Sequence, residues 1–418
     1  MRPATLMLAA GLLLSGCQTD GSKPVVSVEE ARRITASFSG QTGFTPPPRR
    51  IDDITRILDT HRPDPAVVRA LSDIADRPVP PGLAGSALVT LLLERSIAAG
   101  DLGRYDPQVA DLRAAAGVTG VGTLQRSAVL SEMSSAELFA GNPVSALRAA
   151  RDRLRELGPS GGSQIGASAS EARILARLGD IEGANRSLER ARRAMNDPNL
   201  ARWPPYPMFL PAWQAALCRA DAAILEATGR FGEAERAARD ALGTVERIRA
   251  NMPALRRETA EVPPNLPEIQ ELTSRMEIAK MLTRQGRLVE AEAEARGLLV
   301  WSLERTGRYS TKTANVILIL SVILREQGRH AESARMADAG IDVLTTIGAG
   351  NGSRILAGAH MEKARSMALD GDWTGAAAAV DAAREVFPAG SAEREAFVGR
   401  DIVYGQVLLA TGRGTEAV

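Results

Sequence analysis

"MLTRQGRLVEAEAEARGL" (281–298) and "LREQGRHAESARMADAGI" (324–341) carry one pattern. A Gly is followed two residues on by a bulky side chain and five on by a small one, and the position twelve on is often small as well. "LEATGRFGEAERAARDAL" (225–242) and "MALDGDWTGAAAAVDAAR" (367–384) repeat it. After Gly229 the set is Phe231, Ala234 and Ala241. After Gly371 it is Trp373, Ala376 and Ala383, with Pro388 closing the unit. "RLGDIEGANRSLERA" (177–191) supplies Gly179, Ala184 and Ala191, and weaker copies centre on Gly103 and Gly141. The glycine permits a tight turn between antiparallel helices. The bulky residue plugs the gap at that turn. The small residues, seven apart, lie one above the other on the second helix and let the first approach closely. One such pair cannot bury its own apolar face, but stacked pairs can. The pattern predicts an all-α chain beyond about residue 50.

The order Gly, aromatic, Ala, Ala, Pro resembles the tetratricopeptide repeat (TPR) from about residue 85 to the end. The last four markers, Gly286, Gly328, Gly371 and Gly412, are spaced 42, 43 and 41 residues apart. The usual TPR period is about 34. The longer period is similar to the kinesin-light-chain-like variety, and "STKTANVILILSVILREQGRHAESA" (310–334) resembles it most. The resemblance implies a right-handed superhelical solenoid of antiparallel helix pairs. Two positions depart from it: Leu298 and Gly340 stand where Ala is expected. Pro-rich insertions near 197–212 and 250–268 interrupt the array. Gly412 places Ala417 five residues on, so the sequence stops at the start of a second helix. That predicts a repeat domain, 49–418, truncated in its last repeat.

The N-terminus reads differently. "MRPATLMLAAGLLLSGC" has one positive charge, Arg2, and a short apolar run from Leu6 to Leu14, too short to span a bilayer. Its end, Leu14-Ser15-Gly16-Cys17, resembles the lipobox of bacterial lipoproteins. That resemblance implies a signal peptide over 1–17 and a lipid on Cys17. With Gln18 following, it also implies an outer-membrane location facing the periplasm. Residues 18–48, with "QTDGSKP" and "GQTGFTPPPRR", read as a flexible tether. Tether, long-period repeats and "FTPPPRRIDDITRILD" (44–59) together resemble the N-terminal half of bacterial CHAT proteins. That family fuses such repeats to a C-terminal caspase-like peptidase with a His–Cys dyad, which implies a sensing or docking half whose catalytic domain lies beyond residue 418.

Composition excludes several classes. Aromatics are 4% of the chain, and 51 basic residues face 50 acidic ones, so the basic stripe with stacking aromatics that nucleic acid requires is missing. If Cys17 carries lipid, Cys218 has no disulfide partner and reads as a buried thiol. "GPSGG" (158–162) matches G-x-S-x-G but follows a helical stretch, "ALRAARDRLREL", not a strand; it reads as a loop. "GAGNGS" (348–353) fails G-x-G-x-x-G at its last position. His61, His330 and His360 do not cluster with other ligands, so no metal or other cofactor is expected. No catalytic residue emerges. A protein or peptide partner is expected instead, with the membrane reached only through the N-terminal lipid.

In the repeat family, the first helix of each pair lines the inner face. That resemblance places Arg219 and Glu226, Met276 and Lys280, Asn315 and Arg325, Met361 and Arg365, and Ile402 and Gln406 inward. Arg219, Lys280, Arg325 and Arg365 then either form a basic ladder for peptide carboxylates or are solvated charges in an Arg-rich chain.

Overall fold

The computed structural model divides the chain into Met1–Pro46 and Pro47–Val418. It describes residues 47, 50–60, 65–139, 142–158, 161–258 and 265–416, all in the second unit. The signal peptide, Cys17, the tether, His61, Gly141 and Ala417 lie outside the described residues.

Among the described residues there is no strand. Two short helices come first: α1 (Asp52–Thr60) and α2 (Pro65–Ala75). Antiparallel pairs follow: α3 (Gly85–Asp101) with α4 (Tyr105–Ala116), α5 (Thr123–Phe139) with α6 (Pro143–Leu157), and α7 (Ser163–Arg177) with α8 (Ile181–Met195). A short α9 (Pro198–Ala201) leads to α10 (Tyr206–Ala227), which pairs with α11 (Phe231–Leu242). An extra helix, α12 (Val245–Glu258), precedes the pairs α13 (Leu266–Arg284) with α14 (Leu288–Thr306), α15 (Thr311–Glu326) with α16 (His330–Thr346), and α17 (Arg354–Leu369) with α18 (Trp373–Glu385). The described chain ends with one turn, α19 (Ala392–Arg394), a π-helical turn over Glu395–Gly399 and α20 (Ile402–Ala410). Residues Gly414–Glu416 form a single 3-10 turn.

The repeat register is met residue by residue. Every described marker glycine, from Gly103 to Gly412, takes a positive φ between +68° and +86°. The residue two on opens the second helix: Tyr105, Ile181, Phe231, Leu288, His330 and Trp373. Ala184, Ala234, Ala291, Ser333 and Ala376, five on, are fully buried. So are Ala191, Ala241, Leu298 and Ala383, twelve on. Ser333 fits its slot because its hydroxyl donates to the Ser321 carbonyl at 2.7 Å and meets the Ser366 hydroxyl at 2.7 Å, leaving no buried polar atom unpaired there. Gly340 departs from Ala because Leu318 fills the slot from the facing helix: a Cβ at 340 would stand 3.0 Å from the Leu318 methyl.

The described residues of the Pro-rich insertions are mostly helical. The stretch after 197 extends α10 at its N-terminus, where Trp203, Phe209 and Trp213 stack with ring centroids 5.3 and 5.6 Å apart. Trp213 packs flat against Gly162, which has no side chain to hold it off. Pro211 and Pro253 sit inside α10 and α12. The GAGNGS stretch (348–353) lies in the connection between α16 and α17.

The array also closes on itself. Solenoid repeats ordinarily touch only their neighbours, yet the α3–α4 turn meets the loops before α15 and α17. Lys312 pairs with Asp101 at 3.1 Å. Arg354 lies over the Tyr105 ring at 5.0 Å and donates to Asn142. A Cβ on Gly103 would stand 3.1 Å from that of Ala349. Helix α1 adds a strap. Ile51, Ile54 and Leu58 are buried in the same core as Leu303, Val316 and Ile347. The Ile51 N–H donates to Glu332 at 3.1 Å, Arg296 pairs with Asp53 at 2.5 Å, and Arg308 donates to the Leu58 carbonyl at 2.7 Å.

Candidate ligand-binding channel

The first helices of three successive pairs, α7, α10 and α13, bring a charged cluster together. Arg173 and Arg177, four apart, share one face of α7. Arg219 comes from α10, and Gln270 and Glu277 from α13. Arg219 donates to the Gln270 side-chain oxygen at 2.8 Å, and Arg173 approaches Glu277 at 4.0 Å. Arg173 and Glu277 keep 19% and 22% of their side-chain surface, enough for a ligand to touch both.

Burial first and the charge of Arg173 second lower the Arg219 pKa to about 9, against the opposing charge of Glu277. Arg177 shifts down for the same two reasons, burial first and then Arg173. Yet its side chain is exposed to solvent. A guanidinium that keeps solvent contact amid surrounding protein is partly desolvated without being covered. Glu132 on α5 is half-buried: burial raises its carboxyl pKa, Arg153 lowers it and Asp101 raises it.

The residues the sequence singled out are mostly occupied by partners on neighbouring helices. Lys280 pairs with Glu226 at 2.5 Å. Arg325 reaches Glu362 at 2.7 Å and Glu326 at 2.9 Å. Arg365 is shared between Asp401 and Glu362. Asn315 is half-buried on α15. Met361 is buried, and Ile402 is 78% exposed. The four cations therefore tie successive repeats together, and only Arg219 joins the channel cluster. Arg173 and Arg177 were missed because inward positions were read only from the Gly229 repeat onward, and the α7 pair precedes it. The i, i+4 arginines of "EARILAR" (171–177) were the available signal.

A second network went unnoticed although it is written twice, as Gln-Gly-Arg-x-x-Glu at 285–290 and 327–332. Gln285 donates to Glu235 at 2.9 Å, and Arg287 joins Glu235 at 2.6 Å and Glu290. One repeat later Gln327 donates to Glu292 at 3.0 Å, and Arg329 joins Glu292 at 3.0 Å and Glu332. At the next turn Asp370 and Asp372 replace Gln and Arg. Ala334 stands there in place of the accepting Glu, and the Ile51 N–H of the strap donates instead to Glu332 of the preceding turn.

Cys218 is half-buried, and burial raises its thiol pKa, with Asp240 and Asp221 adding to the shift; it is a poor nucleophile. Burial lowers the His360 pKa, Lys363 lowers it further and Asp338 opposes. Among the described residues no group of three or more His, Cys, Asp or Glu side chains is placed to hold a metal ion. No described helix is long and apolar enough to cross a membrane.

No protein-family model matches the chain, and no curated protein does. Solved structures share its fold. A Rap protein complexed with Competence and Sporulation Factor is 12% identical, covers 84% of this chain and 88% of its own, and superposes with a TM-score of 0.50. A tetratricopeptide repeat protein from Parabacteroides merdae is 14% identical over 78% of this chain and 99% of its own, TM-score 0.37. BtubC from P. vanneervenii is 15% identical over 68% and 90%, TM-score 0.40. Identities this low show the fold alone: a TPR-like array of helix pairs.

Proposed function

We propose that the chain is a non-enzymatic scaffold that holds a peptide or protein segment in the channel lined by the first helices of its repeats. The observation that carries this reading is the pair Arg177 and Arg219. Keeping charged groups where water is displaced is costly for folding alone, and a ligand that enters the channel recovers that cost. The Rap structure, a complex with Competence and Sporulation Factor, lends the reading support by likeness of fold only. The test is to pan a random dodecapeptide library against the full chain. Selected peptides should lose binding to the Arg177→Glu variant and keep it for a variant in the outer helix α8, Glu189→Gln. Peptides that bind both variants equally would refute a channel site.

The envelope address belongs to the same proposal and is supported by Leu14-Ser15-Gly16-Cys17. A lipid on Cys17 would tether the scaffold to the outer membrane, facing the periplasm. Cys17→Ser should then release the chain from membrane fractions, and unchanged partitioning would remove the anchor. The docking-half reading of the CHAT resemblance rests on residues 44–59 and is decided by the coding sequence after codon 418.

A further inference from the structure

Helix α1 meets the array as a ligand helix meets a groove. Its apolar residues Ile51, Ile54 and Leu58 share one face, and all three are buried. Helix α14 supplies Arg296 to the contact, α16 supplies Glu332, and the turn after α14 supplies Arg308. Both ends of α1 are held through the backbone. Glu332 accepts the Ile51 N–H at the start, 3.1 Å away, and Arg308 donates to the Leu58 carbonyl near the end at 2.7 Å. An anion at the first end and a cation at the second complement the helix dipole. Neither contact reads a side chain, so the groove recognises a helix by its length and direction. Side chains are read by the apolar face and by Arg296 on Asp53 at 2.5 Å.

The groove does not need α1 to balance its charges. Arg296 also pairs with Glu292 at 2.8 Å, Glu332 with Arg329 at 2.5 Å and Arg308 with Asp342 at 2.9 Å. Removing α1 therefore leaves none of these three groups without a counter-ion. With α1 seated, the polar fit is incomplete. Asp53 Oδ1, Arg308 Nε and Arg329 Nη2 are buried and lack partners among the described residues. Unpaired buried atoms cost free energy. Charges that stay paired when the occupant leaves, and a fit that is incomplete while it stays, mark an exchangeable contact.

We infer that the α14–α16 groove is a receptor for an amphipathic helix of a partner protein, and that α1 is its resident intramolecular occupant. The partner helix carries apolar side chains at i, i+3 and i+7 and a carboxylate at i+2, enters in the direction of α1 and displaces it. A second copy of the chain offers the same helix but must vacate its own groove to do so, which gains nothing. The site is built on second helices, not on the first helices that line the channel, so it stands independently of the channel reading.

The probe is a fluorescein-labelled peptide of residues 50–60 with blocked ends, read by fluorescence anisotropy against the full chain. In wild type the seated α1 lowers the apparent affinity by the fraction of molecules whose groove is open. Ile54→Asp weakens the resident helix, so the peptide should bind that variant about tenfold more tightly than wild type, or better. A peptide that itself carries Ile54→Asp should bind neither chain. Far-UV circular dichroism checks that the variant is folded. Amide exchange of the wild-type chain gives a readout that needs no variant: saturating peptide should speed exchange in α1 and leave α16 protected. Equal affinity for wild type and the folded variant, or bound peptide with exchange in α1 unchanged, would overturn the receptor. Light scattering of the wild-type chain separates the remaining occupant. A dimer that the peptide dissociates would seat α1 of a second copy in the groove and overturn the assignment to a partner helix.

Discussion

Glu235 shows how a single side chain joins two repeats. Burial alone would raise its carboxyl pKa; hydrogen bonds from Gln285 and Arg239, with the charges of Arg287 and Arg239, outweigh burial, so the pKa falls below its ordinary 4.5. A carboxyl depressed in the folded state contributes stability that is complete above the unfolded value and is lost as pH falls through the folded one. Replacing it with Gln keeps the shape and removes the charge from beside Arg287. Glu235→Gln should cost about 1–3 kcal/mol at neutral pH. The gap between variant and wild type should narrow as pH falls from neutral through the depressed folded value. Urea unfolding at neutral and at acid pH measures this, and a gap of the same size at both would mean that the ionised form of Glu235 does not hold the joint. The small-residue slots were legible at this scale because volume is written in residue type: Ala234 and Ala376 could be placed from spacing alone. The Gln-Gly-Arg-x-x-Glu pairs were equally legible as a pattern. Their partners were not, since Glu235 lies 50 residues before Gln285.

At the scale of elements, helix pairs follow from local rules, and α1 does not. Its apolar residues at 51, 54 and 58 mark one helical face in the sequence. Nothing local says that this face is buried against helices more than 240 residues away. Long-range docking depends on surface shape, which no periodicity encodes. The insertions were opaque for a related reason: Pro211 and Pro253 argue against helix on propensity, and tertiary packing, with Trp203, Phe209 and Trp213 stacked around the start of α10, overrides it. The strap can be weighed. Ile54 is 2% exposed in the shared core, so Ile54→Ala leaves a cavity that should cost about 2–5 kcal/mol. The loss should appear in the single unfolding transition of the repeats, with faster amide exchange in α16, where Glu332 holds the strap. An unchanged urea midpoint would show that α1 is not part of the cooperative unit.

At the scale of the molecule, closure of the array decides how a ligand reaches the channel, and one comparison of glycines isolates it. Gly103 and Gly229 both take left-handed backbone, at φ +68° and +76°. A methyl at Gly229 meets nothing within 4 Å, while one at Gly103 meets Ala349 at 3.1 Å and Thr311 at 3.3 Å. Gly229→Ala therefore carries only the cost of the left-handed conformation, roughly 1–2 kcal/mol. Gly103→Ala carries that cost and also wedges the seam between the first pair and the later repeats. Neither Ala349 nor Thr311 can give way freely, because the turns that carry them are held by Arg354 on Asn142 and by Lys312 on Asp101. The wedge should add about 1–3 kcal/mol, the usual cost of overpacking. It should also widen the particle in small-angle X-ray scattering, whereas Gly229→Ala should leave the scattering curve as it was. In an open solenoid the two substitutions would be equivalent, since both sit at the same position of a repeat. Equal destabilisation and equal radii would therefore mean that the ends do not meet in solution and that the channel is an open groove.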